Sequence, residues 1–437
     1  MAEWDSIRAA ARDTHPKSIA ALEQLVAAAG AGPDAVEETI ISLMEGAGAG
    51  VSRTRYTPAD VPLIDEFASA DAAAGGDETL IIGRLNTRDG EAAGRSLILF
   101  AHPDTEPLEA ATGWSLDPHT PQVRDGRLYG FGVADDLAGI AMMSAAVGVL
   151  RQAGLQPDGP LSLVSAPSKR HRRGIAAALS AGLSSDAAVY CHPAESGRGL
   201  DEIKAFAPGQ LEFLIRIKGE PPDTLEPAHT AFAHKARTPL GAALPVIEAL
   251  RAIDAKRGEA CHAPRLHDAI GRSANLMITH MASGSPAALS RIPQDLTLGG
   301  AMTLTPGEDL DEVIAEVEAA VAKTCRCDAF LSQHPATITW VAGVSAAETP
   351  VDAPIYSAVA DVLTALGSRP AVNPLHTSSD IRNPIVQKGI PTVGFGPLCG
   401  GLTMAGFTDE WVDLADFGRA VEATALIIAR WCGTRPL

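Results

Sequence analysis

The sequence predicts an α/β protein with a mostly parallel sheet, into which a second and separate sheet unit is inserted. Short apolar runs alternate with helical patterns in the first half and again from about residue 336, which is typical of parallel sheets. From Gly209 the pattern changes to strands that alternate apolar and polar residues, as in sheets with one exposed face. We therefore expect one domain from residues 1–207 and 330–437, and a second from residues 208–329.

The first third of the chain carries the expected helix and strand alternation. Residues 1 to about 50 read as two helices, the second beginning at Pro33, a residue favoured in a first helical turn. The segments that follow have strand or helix patterns in turn. Strands are expected at 79–85, 97–101, 161–166 and 187–191, and helices at 135–153 and 175–183.

The inserted segment has the order of a small α+β unit. Its patterns predict strands at 210–218, 274–282 and 296–305, a helix at 239–255 and a helix after Pro306. This β-α-β-β-α order is typical of a sheet with its helices on one face. Buried-strand patterns return after it, and a last helix is expected at 416–431.

Composition narrows the functional classes. The 437 residues are 46% hydrophobic, which indicates a globular chain, and the net charge of −18 argues against a nucleic-acid partner. We see no signal-peptide pattern and no apolar run of the ~20 residues that a bilayer requires, so we expect no membrane association and a cytoplasmic location. The six cysteines lack paired zinc-site spacing, which fits a reducing compartment.

Two motifs carry metal chemistry. The apolar run 97–100 ends in Ala-His102-Pro-Asp104, where an imidazole can bind a metal and a carboxylate two residues on can orient it. Asp135 follows a glycine-rich turn at the start of an apolar helix. Each residue also has a structural interpretation, because His102 could be a hydrogen-bonded strand-end histidine and Asp135 a helix cap.

Together, at about thirty residues' separation, these motifs resemble the zinc-dependent family of aminoacylase, glutamate carboxypeptidase and succinyl-diaminopimelate desuccinylase, metallopeptidase family twenty. That family carries a strand ending H-x-D, followed by G-x-G-x-x-D-[DM]-K-G; here the second motif reads GFGVADDLAG. The resemblance implies a catalytic domain with an inserted ferredoxin-like lid and dimerisation domain. It also implies two metals that share one aspartate.

Matching the motifs makes His102 a metal ligand, Asp135 the shared carboxylate and Asp104 the carboxylate behind His102. The departures are informative. Ser168 and Lys169 stand where the family has a Glu-Glu pair, His192 stands at an acidic ligand's place, and Gly406 replaces a C-terminal histidine ligand. One site thus loses its private ligands, whereas His102, Asp135 and His192 remain. We expect one divalent metal per chain, manganese, zinc or iron.

The resemblance leaves the proton carrier and the substrate contacts open. Glu195 or Glu106 can serve as a further ligand or a base, and His376 or His171 can carry a proton. Arg382, in a Ser-Asp-Ile-Arg run that matches the family's D-x-R, is expected to grip a substrate carboxylate; the alternative is a structural ion pair.

In the lid, the family places a histidine that reaches the active site of a partner subunit. His234 matches it, with His229 as the weaker alternative. Arg291 is a candidate substrate contact, although solvated surface or a dimer contact explains its charge equally well.

The predicted function is metal-dependent hydrolysis of a C–N bond, in an amide or aromatic amine, in a small carboxylate-bearing molecule, with water activated by one metal. The altered centre suggests the family's divergent branch, which replaces the amino group of 5-nitroanthranilate with hydroxyl. Hydrolysis of N-acyl amino acids or dipeptides is one alternative, and a non-catalytic homologue is another. A homodimer or larger homo-oligomer is expected.

Overall fold

The computed structural model describes residues 2–69, 75–86, 94–105, 108, 112–260, 263–376, 379–402 and 406–437. Within these residues the helices α1–α10 are, in chain order, Ala2–Ala31, Pro33–Gly46, Ala138–Gln152, Gly174–Ser180, Pro239–Glu259, Pro264–Ile270, Leu310–Cys327, Pro354–Ala365, Arg382–Lys388 and Leu414–Cys432. The strands β1–β21 are Gly50–Tyr56, Glu66–Ala68, Glu78–Leu85, Leu97–Ala101, Gln122–Arg124, Arg127–Tyr129, Leu155–Pro157, Leu161–Ser165, Ala187–Cys191, Glu202–Ile203, Phe206–Ala207, Gly209–Lys218, Leu276–Ser283, Asp295–Leu304, Thr337–Val344, Ala347–Glu348, Ala371–Val372, Thr392–Phe395, Cys399–Gly400, Trp411–Asp413 and Thr434–Pro436.

The main sheet has six strands in the order β1-β3-β8-β4-β9-β18. Strands β8, β4, β9 and β18 run parallel, and β3 and β1 close one edge in antiparallel pairing. The parallel strands therefore end together at one edge. The prediction of a mostly parallel α/β sheet is confirmed.

Every residue of β4 and β9 is buried, because helices cover both faces of the main sheet. Leu97 and Leu99 point into a core with α1, α3 and α10, whereas Ile98 and Phe100 point into the core on the opposite face, with α4. This two-sided burial explains why the strands are apolar at every position rather than at alternate ones.

Helix α3 is apolar on all sides because it lies inside this core. The segment Val133–Gln152 is long and apolar enough to cross a membrane by length and composition, but 89% of an apolar 18-residue stretch within it is buried inside the protein. The segment is therefore explained as a core helix.

The second sheet is antiparallel, with the order β13-β14-β12-β15-β2. Strand β12 alternates buried and exposed residues, and its buried side chains (Leu211, Phe213, Ile215 and Ile217) pack against α5 and α7. Asp309 begins α7 by accepting a hydrogen bond from the backbone N–H of Glu312. The order β12-α5-β13-β14-α7-β15, with its helices on one face, is the expected ferredoxin-like arrangement.

Strand pairing moves one predicted boundary. The sequence pattern predicts that residues 330–437 belong to the first domain, because 336–341 resembles a buried strand. Strand β15 instead pairs with β12, and β2 pairs with β15, so residues up to Val344 belong to the second sheet. The two-domain division stays a prediction, in which β15 and β2 belong to the second unit.

Candidate metal centre and active site

Three neighbouring parallel strands deliver the central side chains. His102 follows β4, Lys169 lies in the turn after β8, and His192 follows β9. Because these strands are adjacent and parallel, their carboxyl ends meet at one edge of the sheet, where α/β enzymes place their binding sites.

Asp135 reaches the same point from the turn before α3. The turn contains Gly132, whose φ of 75° is a left-handed conformation that glycine adopts without strain. Buried Glu410 accepts a hydrogen bond from the backbone N–H of Ala134 at 2.7 Å. The neighbouring Asp136 accepts from the backbone N–H of Gly139 at 3.1 Å and so supports the start of α3. The turn is held on both sides of Asp135.

Two imidazoles converge on one oxygen of Asp135. Nε2 of His102 lies 3.0 Å, and Nε2 of His192 lies 3.3 Å, from Oδ1 of Asp135. All three side chains are at least 94% buried, and they form a group whose atoms suit a metal ion. The structure thus brings the three predicted metal ligands together.

The proton positions on both histidines follow from their partners. Nδ1 of His102 lies 2.8 Å from the carbonyl oxygen of Asp104, and Nδ1 of His192 lies 2.9 Å from that of Pro193. A carbonyl oxygen only accepts, so each Nδ1 carries the proton and, in a neutral ring, each Nε2 presents a lone pair to Asp135. A proton on Nε2 or a metal ion must separate each ring from the carboxylate, and two imidazole nitrogens with one carboxylate oxygen are a donor set that fits a divalent metal.

The electrostatic environment of His192 agrees with a neutral ring that carries its proton on Nδ1. Its burial lowers the pKa to about 4, so the ring is neutral near pH 7. Burial and Lys169 lower the pKa of His102, but the hydrogen bonds to Asp104 and Asp135 outweigh them and raise it. Burial raises the pKa of Asp135, whereas Lys169 and the two histidines lower it well below its usual value. Asp135 is therefore ionised.

The other oxygen of Asp135 contacts Lys169, with 2.7 Å between Oδ2 and Nζ. Burial lowers the pKa of Lys169, but the Asp135 carboxylate raises it above its usual value, so the side chain is an ammonium. The sequence motif identifies Lys169 only as a residue that stands where the family has an acid. The signal that could have identified it is its position directly after the strand neighbouring His102.

Asp104 and Glu195 stand behind the two imidazoles. Oδ1 of Asp104 lies 3.5 Å from Nδ1 of His102, and Oε1 of Glu195 lies 3.5 Å from Nδ1 of His192. Asp104 also accepts the backbone N–H groups of Ser168 and Lys169 at 2.8 and 2.7 Å. Carboxylates in this position orient a ligand histidine and increase its basicity.

His376 lies beside this group. Its Nδ1 is 3.5 Å from Oε2 of Glu195, and its ring centroid is 5.2 Å from that of His192. His192, Glu195 and His376 form a second group that could hold a metal, but it shares His192 with the first group. Burial raises the pKa of Glu195, and Lys204, His192 and His376 lower it well below its usual value.

Lys204 is a buried residue that is not among the predicted site residues. Its ammonium donates to the carbonyl oxygens of His192 and Pro193 at 3.2 and 2.7 Å, and lies 3.5 Å from Glu195 and Glu202. It fixes the turn that carries His192. A lysine between apolar neighbours, in the run Ile-Lys-Ala-Phe, was the available signal.

A cavity of about 580 Å³ opens at the metal group. Its lining includes Lys169 and Asp380 from the first domain, and Gln210, Glu212 and Gly343 from β12 and β15 of the second. The substrate space is therefore built by both sheet units. Burial raises the pKa of Asp380.

Arg382 lies at this cavity, but its N–H groups already have partners. Nε donates to the carbonyl oxygen of Ser345, one terminal nitrogen to Glu66 and Asn383, and the other to the carbonyl oxygen of Asp65 and to Ser345 Oγ. A substrate carboxylate would have to displace one of these acceptors. The structural ion pair is the interpretation that this geometry favours.

The remaining candidates lie elsewhere. His234 and Arg291 are exposed on the second unit and are not among the cavity-lining residues described. His229 caps the turn before His234 by accepting from the backbone N–H of Ala231. His171 lines the cavity, whereas Glu106 lies outside the described residues.

The buried donor set at the ends of parallel strands is a candidate metal centre in an α/β fold. The sequence model of peptidase family M20/M25/M40 matches residues 98–430. The chain belongs to this family, and it is a metal-dependent hydrolase that acts on carbon–nitrogen bonds.

Individual relatives are distant. Succinyl-diaminopimelate desuccinylase of Xanthomonas euvesicatoria pv. vesicatoria is 27% identical over 278 residues, covering 62% of this chain and 70% of that protein. A tripeptidase structure from Staphylococcus aureus superposes with a TM-score of 0.68 at 16% identity, over 96% of this chain and 98% of the other.

A dinuclear metal-binding M20 peptidase of Bacillus subtilis superposes with a TM-score of 0.55 at 15% identity, over 90% and 91% of the two chains. At such identities the structural matches show a shared fold. The chain is therefore a divergent family member, and its own residues must decide its metal content and substrate.

Proposed function

We propose that this protein hydrolyses a C–N bond in a small carboxylate-bearing molecule with one divalent metal per chain. The observation that supports the single metal is the division of Asp135 between partners of different kinds. One oxygen faces the Nε2 atoms of both histidines, and the other faces an ammonium group. The set of two nitrogens and one oxygen suits manganese, zinc or iron.

His102, Asp135 and His192 would hold the metal, and the backbone carbonyls of Asp104 and Pro193 keep the two rings in the binding tautomer. A divalent ion in such a site supplies Lewis acidity and lowers the pKa of water. The chain itself must then accept a proton. His376, beside Glu195 and facing the cavity, is the residue we propose for this step.

We propose two candidates for the C–N bond that is broken, one in an amide and one in an aromatic amine. An amide, as in N-acyl amino acids or dipeptides, fits the desuccinylase and tripeptidase relatives. The amino group of a nitro-substituted aminobenzoate such as 5-nitroanthranilate is the second candidate. What favours it is the pair Ser168 and Lys169 at the position of the family's two acids, since an activated ring requires less assistance from a base.

Metal analysis tests the proposal first. Protein purified without chelator should contain about one divalent ion per chain, and His102→Ala and His192→Ala should each lose it. His334→Ala, at an exposed histidine of the second unit, is the matched control and should keep the metal. Two ions per chain would contradict the single-metal proposal, and none would favour a non-catalytic homologue.

A substrate panel then separates the two forms of the reaction. N-succinyl and N-acetyl amino acids, dipeptides and 5-nitroanthranilate are incubated with metal-loaded protein, and released amino acid or ammonia is measured. Activity on amides alone would remove the aminobenzoate candidate. Activity that persists in His192→Ala would remove His192 from the site.

We also propose that the protein is a cytoplasmic homodimer. Strand β13 is an exposed edge of the second sheet, with Met277 59% and Met281 50% exposed. An edge strand of this kind is a surface that natural proteins usually cover. The five cysteines in the described residues are unpaired, as expected in a reducing compartment.

A further inference from the structure

Lys169 is the partner of Asp135 that is not a proposed metal ligand. Its ammonium nitrogen lies 2.7 Å from Oδ2 of Asp135, on the carboxylate oxygen that the two histidines leave free. Its side chain is 16% exposed and lines the cavity. The lysine is thus held at the centre of the site and is accessible from the substrate space.

The local backbone explains why the side chain reaches this point. Asp104 accepts the backbone N–H groups of both Ser168 and Lys169, and this fixes the turn after β8 against the turn after β4. Asp104 is also behind the ring of His102. One carboxylate therefore sets the distance between the metal group and the lysine.

The M20 peptidase of Bacillus subtilis binds two metal ions. A carboxylate that bridges two cations offers one oxygen to each. In this chain one oxygen of Asp135 faces imidazole nitrogens and the other faces an ammonium. A second divalent ion at Oδ2 would meet the charge of Lys169 at close range, which is strongly unfavourable in a buried site. Both metal-binding groups among the described residues also share His192, so they do not offer two independent ion positions.

We propose that Lys169 is a built-in cation that takes the place of a second metal ion. This inference rests on the proposed single-metal function and explains its stoichiometry. The site would hold one exchangeable cation next to the two histidines and one permanent cation, the Lys169 ammonium, next to the other oxygen of Asp135. A chelator would remove the first and leave the second.

Metal affinity tests this role without any activity assay. Chelator-treated wild type, Lys169→Met, Lys169→Gln and Lys169→Arg are titrated with Mn²⁺ by calorimetry. If Lys169 acts as a competing positive charge, both neutral variants should bind Mn²⁺ at least about tenfold more tightly, because a like charge beside the ion is removed. Lys169→Arg should stay within about threefold of wild type, because it keeps the charge.

The controls separate charge from folding. Lys218→Met makes the same charge change at an exposed position of the second sheet and should leave the Mn²⁺ affinity unchanged. Thermal unfolding of each variant shows whether it folds. If Lys169→Met does not fold, Lys169→Gln carries the test, since its amide still donates to Asp135 without a charge.

The outcomes also distinguish this inference from the function on which it rests. One ion in wild type, with unchanged or weaker binding in the folded neutral variants, would overturn the role of Lys169 and leave the single-metal function intact. Two ions in wild type would overturn both. No ion in wild type would overturn the metal-dependent function first, and this inference with it.

Discussion

At the scale of single residues, the site depends on which nitrogen of each histidine carries the proton. The carbonyl groups of Asp104 and Pro193 decide this for His102 and His192, and they do so through backbone atoms. Substitution of Asp104 would therefore leave the backbone hydrogen bond to His102 in place, while it would remove the carboxylate behind the ring and release the turn that carries Lys169. The backbone carbonyl of Asp104 sets the tautomer of His102, whereas its carboxylate holds the turn at Ser168 and Lys169.

His376 allows a kinetic prediction. His376→Ala should lower kcat by about 10²-fold or more, because a positioned proton acceptor contributes at least this factor. The Mn²⁺ affinity should not change, because the ligand set stays complete. Steady-state kinetics and metal titration are measured on the same preparation, with His334→Ala as the control. A full kcat in His376→Ala would exclude His376 as the proton carrier.

The sequence was informative about residues in contiguous motifs. His102, Asp104 and Asp135 were placed by their spacing and by the strand and turn before them, and His192 by its position after a strand. The roles of Lys169 and Lys204 depend on contacts of 2.7 Å with Asp135 and with the carbonyl of Pro193, which are made across different strand ends. No local pattern encodes such distances.

At the scale of elements, Arg382 connects the two sheet units. It begins α9 in the first unit, and its partners Glu66 and Ser345 lie on β2 and directly after β15 in the second. Both side chains of the Arg382–Glu66 pair are nearly inaccessible, with 3% and 7% exposed. The pair therefore holds the wall of the cavity together.

Arg382→Met should lower the free energy of unfolding by about 3–5 kcal/mol, because it leaves the buried charge of Glu66 unpaired. Arg216→Met breaks a comparable pair, with Asp295, whose side chains are 63% and 55% exposed, and should cost under about 1 kcal/mol. Denaturant unfolding of both variants gives the comparison. Unchanged stability in Arg382→Met, with weakened binding of carboxylate substrates, would instead support the substrate contact expected from the sequence.

Strand β15 shows why element order was easier to predict than element partners. The apolar run of β15 predicts a strand, but it does not predict that the strand joins the second sheet. A burial pattern does not specify which sheet edge a strand pairs with. The glycine at position 343 fits the pairing of β15 with β2, because a side chain there would collide with the ring of Phe67 on β2. That contact joins residues far apart in the sequence.

At the scale of the whole molecule, the exposed edge of the second sheet predicts the assembly. Light scattering should give twice the chain mass of 45.2 kDa at micromolar concentration. Met277→Glu with Met281→Glu should shift the protein to monomers, because two charges would be buried at the edge. Val123→Glu, at a half-exposed position in the first unit, is the control. A monomeric wild type would exclude dimerisation, and with it a contact of His234 with a partner's site.

The path of the chain between the sheets has one more consequence. The chain enters the second sheet at β2, leaves it for β3, returns at β12 and leaves again after β15. Residues 209–344 therefore do not form a separate unit that could be deleted without affecting the rest of the chain. A shortened chain that lacked residues 209–344 would keep β2 without the strand it pairs with, so protein engineers who seek a minimal catalytic core would have to redesign the N-terminal third as well.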